Sequence, residues 1–169
     1  RYQCDWSSDV CSSDLGLLGA QAWVKAHKDK LPKIANLFNR DGGPEPPVGI
    51  SVPQAMYDDF VKISEPIQKI RPDYPFEVKV REPRKRPTRM GGTDASVFAI
   101  EGVPTLGFTT EDFKGYDFDY GEIWHTERDL YTKNIPEYQE HTATVTAIIA
   151  LGVANLDKQL SREGLYTEE

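Results

Sequence analysis

Beyond position 11 the sequence contains no cysteine; its only two, Cys4 and Cys11, stand six residues apart within the first fifteen. No second pair follows, so the spacing makes a poor zinc site. A disulfide between the two is open on spacing alone, and the rest of the chain carries no redox signature. Long apolar runs are also missing. Nothing approaches the roughly 20 residues that span a bilayer, so no membrane segment is expected in this chain. The opening lacks the apolar central stretch of an export leader. Positive charge is in the minority, with 20 Lys and Arg against 27 Asp and Glu, a net charge of −7 and a pI near 5.0. That balance argues against nucleic acid as a partner. Histidine occurs three times, at 27, 125 and 141, so imidazole chemistry has few candidates.

What is present is globular. A hydrophobic share of 38% with 28% charged residues lies far from the disordered class, and 169 residues suffice for one domain with a real core. "GLLGAQAWVKAHKDKLPK" carries Leu17, Leu18, Ala22, Trp23 and Ala26 at helical spacing and is limited by Pro32. "IANLFNRDGG" reads as a buried strand delivering polar residues at its tip, and "PEPPVGISV" as a loop leading into a short strand. A helix is predicted over "PQAMYDDFVKISEPIQKI", with Pro53 in its first turn and Met56, Phe60, Ile63, Ile67 and Ile70 on one side.

"PFEVKVRE" alternates Phe76, Val78 and Val80 against charged neighbours, the pattern of a half-buried strand. A basic loop, "REPRKRPTRMGG", leads into a short helix capped by Thr93 or Asp94. "VPTLGF" is a buried strand, and "TTEDFKGYDFDYGEIWHTERD" a long aromatic and acidic loop of the kind that carries function. The last helix is expected from Pro136 to about Leu160, with Tyr138, Val145, Ile148, Gly152, Leu156 and Leu160 in register. Strands alternating with helices indicate an α/β sandwich with helices on both sheet faces, chemistry gathering at loops beyond the strand ends.

Singly, the chemical candidates have ordinary explanations. His125 with Thr126 and Asp129 is an accessible imidazole or a surface histidine. Asp41, between a strand and two glycines, is a ligand or a turn former. His141 falls near the apolar face of the last helix and is expected to be packed and hydrogen-bonded; His27 is expected to be solvated. The basic loop reads as a wet loop, and the "GG" before "TDAS" as a very weak phosphate signal.

Their order is more specific. "GLLGAQAWV", "IANLFNRDGG", "GGTDASVFAIEGVPTLGF", "IWHTERD" and a long terminal helix resemble the co-catalytic zinc exopeptidases, the bacterial leucyl-aminopeptidase type related to aminopeptidase Y and glutamate carboxypeptidase. The resemblance runs from Gly16 to about Leu160. It implies an α/β three-layer sandwich with a mixed, mostly parallel sheet, truncated here at its N-terminus. It further implies that Asp41, closing Asn39-Arg40-Asp41, and His125, opening His125-Thr126 with Asp129 behind, are metal ligands, each to a different one of two zinc ions. Zinc takes carboxylate oxygen and imidazole nitrogen; two ions can share and activate one water, and a nearby Glu accepts its proton. Asp129 is a candidate acceptor aiming the ligand imidazole. Two departures bear on substrate choice. Ala95 follows Asp94 where many relatives have His, and Trp124 stands where some carry Tyr, its indole being a donor only.

The family's general base and one zinc ligand form a Glu-Glu pair directly before the "GLLG" start, yet this chain has Ser13 and Asp14. Residues 4–15, "CDWSSDVCSSDL", resemble translated sequencing-adapter DNA. Residues 1–15 are therefore expected to be a non-native segment, and residues 16–169 the C-terminal part of a zinc peptidase catalytic domain. Without the first fifteen residues, which hold one Arg and three Asp, the net charge moves from −7 to −5. No catalytic residue is expected in the fragment, the general-base Glu belonging upstream of Gly16. The fragment is expected to be inactive and not to retain zinc. Its parent would be a secreted or periplasmic exopeptidase acting on peptides, an aminopeptidase in the first instance. A catalytically silent receptor-like domain of the same fold and a glutaminyl-cyclase-type acyltransferase are the alternatives.

Overall fold

The computed structural model describes residues 16–167. The expected non-native opening, with both cysteines and the Ser13–Asp14 pair, lies outside them. In chain order the regular elements are α1 (Leu18–Ala26), β1 (Pro47–Val52), α2 (Tyr57–Ile70), β2 (Glu77–Val80), α3 (Asp94–Ile100), β3 (Phe108–Thr110), α4 (Tyr120–Ile123) and α5 (Pro136–Ala154), with short 3-10 turns at Lys28–Lys33, Gln54–Met56 and Tyr131–Lys133. They divide into two units: residues 16–41, 83–106 and 165–167, and residues 42–82 and 107–164.

The first unit is built on α1 and α3. Its core comprises Leu17, Val24, Leu31, Val97, Phe98 and Val103, with Ala20, Ile34 and Leu37 packed against them. The buried face of α1 thus follows Leu17, Ala20 and Val24, and the 3-10 turn adds Leu31. The face expected from the sequence is rotated away: Leu18 is 57% exposed, and Trp23 rests on the outside against His27 and Phe98. Spacing at three and four residues fits both faces; the turn carrying Pro32, which brings Leu31 inward, selects one.

Residues 34–40 are extended but form no strand. Leu37 donates its N–H to Pro104 O at 2.9 Å, and Asn36 brackets Leu106 through both ends of its amide. Pro104 has no N–H to return, so the ladder stops after one bond. The predicted strand over "VPTLGF" likewise narrows to β3, while Val103 and Leu106 stay buried beside it in sequence. Tyr166 joins this unit through a bridge to Arg84 and hydroxyl bonds to Ala99 O and Val103 O.

The second unit holds a three-stranded sheet in the order β2-β1-β3, with β2 parallel and β3 antiparallel to β1. The described fold is therefore mixed α/β with a small mixed sheet. Ile50 and Val52 of β1 are buried, and Gly49 passes so close to the Glu77 carbonyl that any Cβ would overlap it. α2 and α5 pack on each other and approach the sheet. Met56, Phe60, Ile63 and Ile67 are buried as predicted, while Ile70 sits on the exposed end. Fully burying each such side chain contributes about 1.5–3 kcal/mol over leaving it in water.

α5 buries Tyr138, His141, Val145 and Ile149, a stripe shifted from the one expected through Ile148. It also stops at Ala154 rather than near Leu160, because Asn155 closes it: its N–H and side-chain amide both donate to Leu151 O, at 3.0 and 2.8 Å. Among the described residues β2 is an edge strand, and Val80, expected to point inward, is 46% exposed.

Candidate functional site

Asp41 ends the extended segment of the first unit. Asn39 Nδ2 donates to Asp41 Oδ2 at 2.6 Å. The Asn-x-Asp spacing thus lets the amide fix the rotamer of an exposed carboxylate. Gly43, two positions later and in the second unit, has φ +73°, and a Cβ there would lie 2.9 Å from Phe118 Cε1 and 3.0 Å from Tyr120 Cδ2. Only glycine combines that left-handed backbone with so close an aromatic cover.

His125 sits in the second unit, on the loop between β3 and α5. A hydrogen-bonded cluster fastens the first part of this loop. The Tyr138 hydroxyl donates to Asp112 Oδ1 at 2.6 Å and accepts the Lys114 N–H at 3.0 Å. Lys114 Nζ lies 2.6 Å from Glu137 Oε2, and the Tyr74 and Tyr116 hydroxyls also donate to Glu137. Tyr74 is buried between His141, stacked at 3.9 Å, and the cations of Lys114 and Arg71 at 4.6 and 4.8 Å from its ring centre.

The protonation states follow from that packing. Burial, then the Asp112 bond, pushes the Tyr138 hydroxyl up to about 12, and burial also raises Tyr74. The bond to Glu137 raises Lys114, and the same bond lowers Glu137. Burial lowers His141, whose Nε2 meets Pro47 O at 3.0 Å. His141 is therefore the packed, hydrogen-bonded histidine the sequence suggested.

The far part of the loop presents the imidazole. Asp119 caps α4 by accepting Gly121 N–H at 2.8 Å, and buried Ile123 pins the short helix. The chain then turns outward: Trp124 is 57% exposed, and His125 adopts φ +55°. A non-glycine residue in that region costs about 1–2 kcal/mol, which the surrounding bonds must offset. Thr126 supplies several, its hydroxyl donating to Glu122 O at 2.8 Å and its carbonyl accepting Asp129 N–H at 3.2 Å. Glu122 pairs with Lys133 at 3.1 Å. The result is a strained, exposed imidazole with the Trp124 ring 4.8 Å away.

Of the residues singled out in the sequence, Asp41 and Asp94 belong to the first unit, and Trp124, His125 and Asp129 to the second. Asp94 stands in the first turn of α3, behind Thr93. The structure pairs Asn39 with Asp41 and Trp124 with His125. Among the described residues no group of three or more His, Cys, Asp or Glu could hold a metal ion. A catalytic zinc needs about three protein donors, so these residues alone do not fit one. The sequence reading missed the Asp112–Lys114–Glu137–Tyr138 cluster. Its signal was the acid and base flanking an aromatic in "EDFKGY", facing "PEYQEH" at the start of α5.

The comparisons with known proteins reach the coarser level of the sequence resemblance, a peptidase family. The chain is similar in fold to the crystal structure of a Peptidase M28 precursor from Shewanella amazonensis SB2B, with a TM-score of 0.62 and 24% identity over 86% of this chain. The chain spans 30% of that protein's length. No curated protein matches it. The profile of Peptidase family M28 matches residues 12–149, a span that includes both Asp41 and His125. The chain belongs to Peptidase family M28.

Proposed function

We propose that this chain is the C-terminal part of the catalytic domain of a zinc-dependent exopeptidase, an aminopeptidase that removes terminal residues from peptides. In this reading Asp41 and His125 each serve a different zinc ion. The remaining donors and the general-base Glu come from sequence that precedes "GLLG" in the family pattern. The fragment by itself is then inactive, its small mixed sheet being one edge of a larger three-layer sandwich. Residues 1–15 are read as non-native, and the parent as an exported enzyme. Asp94, Trp124 and Asp129 are assigned to the substrate pocket or to supporting the ligands.

The observation that supports this most is the family match across residues 12–149, which takes in both proposed ligands. The strained, outward His125 supports it further, because such backbone conformations concentrate at functional sites. The test begins with the coding DNA upstream of Gly16. A Glu-Glu pair directly before it, with a His-x-Asp farther upstream, is the expected result; loss of both points instead to a silent domain. The complete protein should then cleave aminoacyl anilides and lose that activity with chelator. Acyl transfer without hydrolysis would replace the peptidase reading with a cyclase.

A further inference from the structure

The basic loop between Arg81 and Arg89 holds five cations and one carboxylate in a chain of net charge −7. Its cations have different tasks. Arg86 is structural: its Nε donates to Ile100 O at 2.8 Å, closing the end of α3. Arg84 and Lys85 instead line a cleft of about 290 Å³ in the first unit, together with Thr93, Ser96 and Thr105 and a proline and two alanines. Among the described residues no carboxylate lines it. None of the ion pairs among the described residues takes Arg84 or Lys85.

Arg84 is held in place before any ligand arrives. Its Nη2 donates to Thr105 Oγ1 at 2.7 Å, its guanidinium lies 5.7 Å from the centre of the Tyr166 ring, and its carbonyl accepts Thr167 N–H at 3.0 Å. Because Thr105 accepts from Arg84, its own hydroxyl proton is left to point elsewhere. Ser96 is different, its proton being committed to Thr93 O at 2.7 Å. Among the described residues the inventory of the cleft is therefore one fixed guanidinium, one ammonium and the Thr93 and Thr105 hydroxyls as donors, with no anionic acceptor. Such a set complements an oxyanion, and a guanidinium already fixed loses little freedom on binding. The volume suits a small ligand.

We propose that this cleft binds a compact oxyanion, a phosphate or the carboxylate of a small acid, independently of the peptidase reading. Inorganic phosphate and glutarate separate the two sources. The test is titration of each into the full 169-residue chain, followed by amide NMR shifts. Saturable shifts at Arg84, Lys85, Thr93 and Ser96 at millimolar concentration are expected, and the tighter probe identifies the source. Exposed Lys85→Gln should weaken binding about tenfold, the loss of one charge-assisted bond. Arg89→Gln, which removes the same charge from outside the cleft, should leave it unchanged. Arg84→Lys keeps charge but loses the fork and should weaken binding as well; Lys85→Gln alone decides if that variant does not fold. Absence of saturable shifts for both probes overturns the proposal, and so does equal weakening by Lys85→Gln and Arg89→Gln.

Discussion

Replacing Tyr138 with Phe removes one hydroxyl and leaves the ring. That hydroxyl donates to a carboxylate, Asp112, and accepts the Lys114 N–H, in a residue with no exposed surface. A bond to a charged partner is worth about 1.5–3 kcal/mol, part of it the cost of stranding the partner, so Tyr138→Phe should lower stability near pH 7 by about that amount. The pH dependence identifies the cause. In the unfolded chain the phenol ionises near 10, whereas in the folded chain it holds its proton to about 12. Between those values the unfolded state loses its proton first and is favoured. The advantage of Tyr138 is therefore complete below pH 10 and shrinks above it by about 1.4 kcal/mol per pH unit. Denaturant unfolding of both proteins at pH 7, 9 and 11 measures it, and groups titrating in both cancel in the difference. A gap that stays constant from pH 7 to 11, or that is negligible at pH 7, would refute the reasoning.

Other consequences are as direct. Gly49→Ala sets a methyl against the Glu77 carbonyl inside the β1–β2 ladder, where backbone must move; it should cost about 3 kcal/mol or more, at the upper end of overpacking, read as a lowered melting temperature. His125→Gly relieves the left-handed strain but loosens the unfolded chain and gives up the contact with the Trp124 ring, so the net change in stability should stay within about 1 kcal/mol. A clear destabilisation in thermal melts would show that the imidazole is structural. His141 is held below its ordinary value by burial first, with the Arg71 cation adding to the effect. The unfolded state then takes up its proton first, so stability should be intact above about pH 6.5 and fall as pH drops below it. His141→Phe should flatten that acid limb in unfolding titrations between pH 7 and 4.5.

Much of the architecture was readable from apolar spacing. Of the five residues that pattern named, α2 buries Phe60, Ile63 and Ile67 and the 3-10 turn before it buries Met56, and His141 occupies the packed position its place on α5 suggested. What spacing did not give was the choice between adjacent faces. Leu18 and Trp23 fit a helical stripe as well as Val24 does, and only the turn at Lys28–Lys33 decides between them. The apolar run at 34–40 has the composition of a strand, but its neighbour Pro104 lacks the donor a ladder requires. α5 ends early because Asn155 competes for its last carbonyls, a local effect that hydrophobic periodicity does not contain. The order of motifs singled out Asp41 and His125; the structure puts the Asn39 amide on Asp41 and gives His125 a left-handed backbone. The cluster fastening the His125 loop was hidden because its partners, Asp112 and Lys114 on one side and Glu137 and Tyr138 on the other, are more than twenty residues apart.

In the proposed function, positions 41 and 125 donate to separate zinc ions. Metal analysis of the complete protein that this proposal implies tests it without reference to turnover. The unmodified protein should carry two zinc ions per chain, and Asp41→Ala and His125→Ala should each release one while leaving the melting profile cooperative. If both variants keep the full complement of metal, neither side chain is a ligand and the assignment is contradicted.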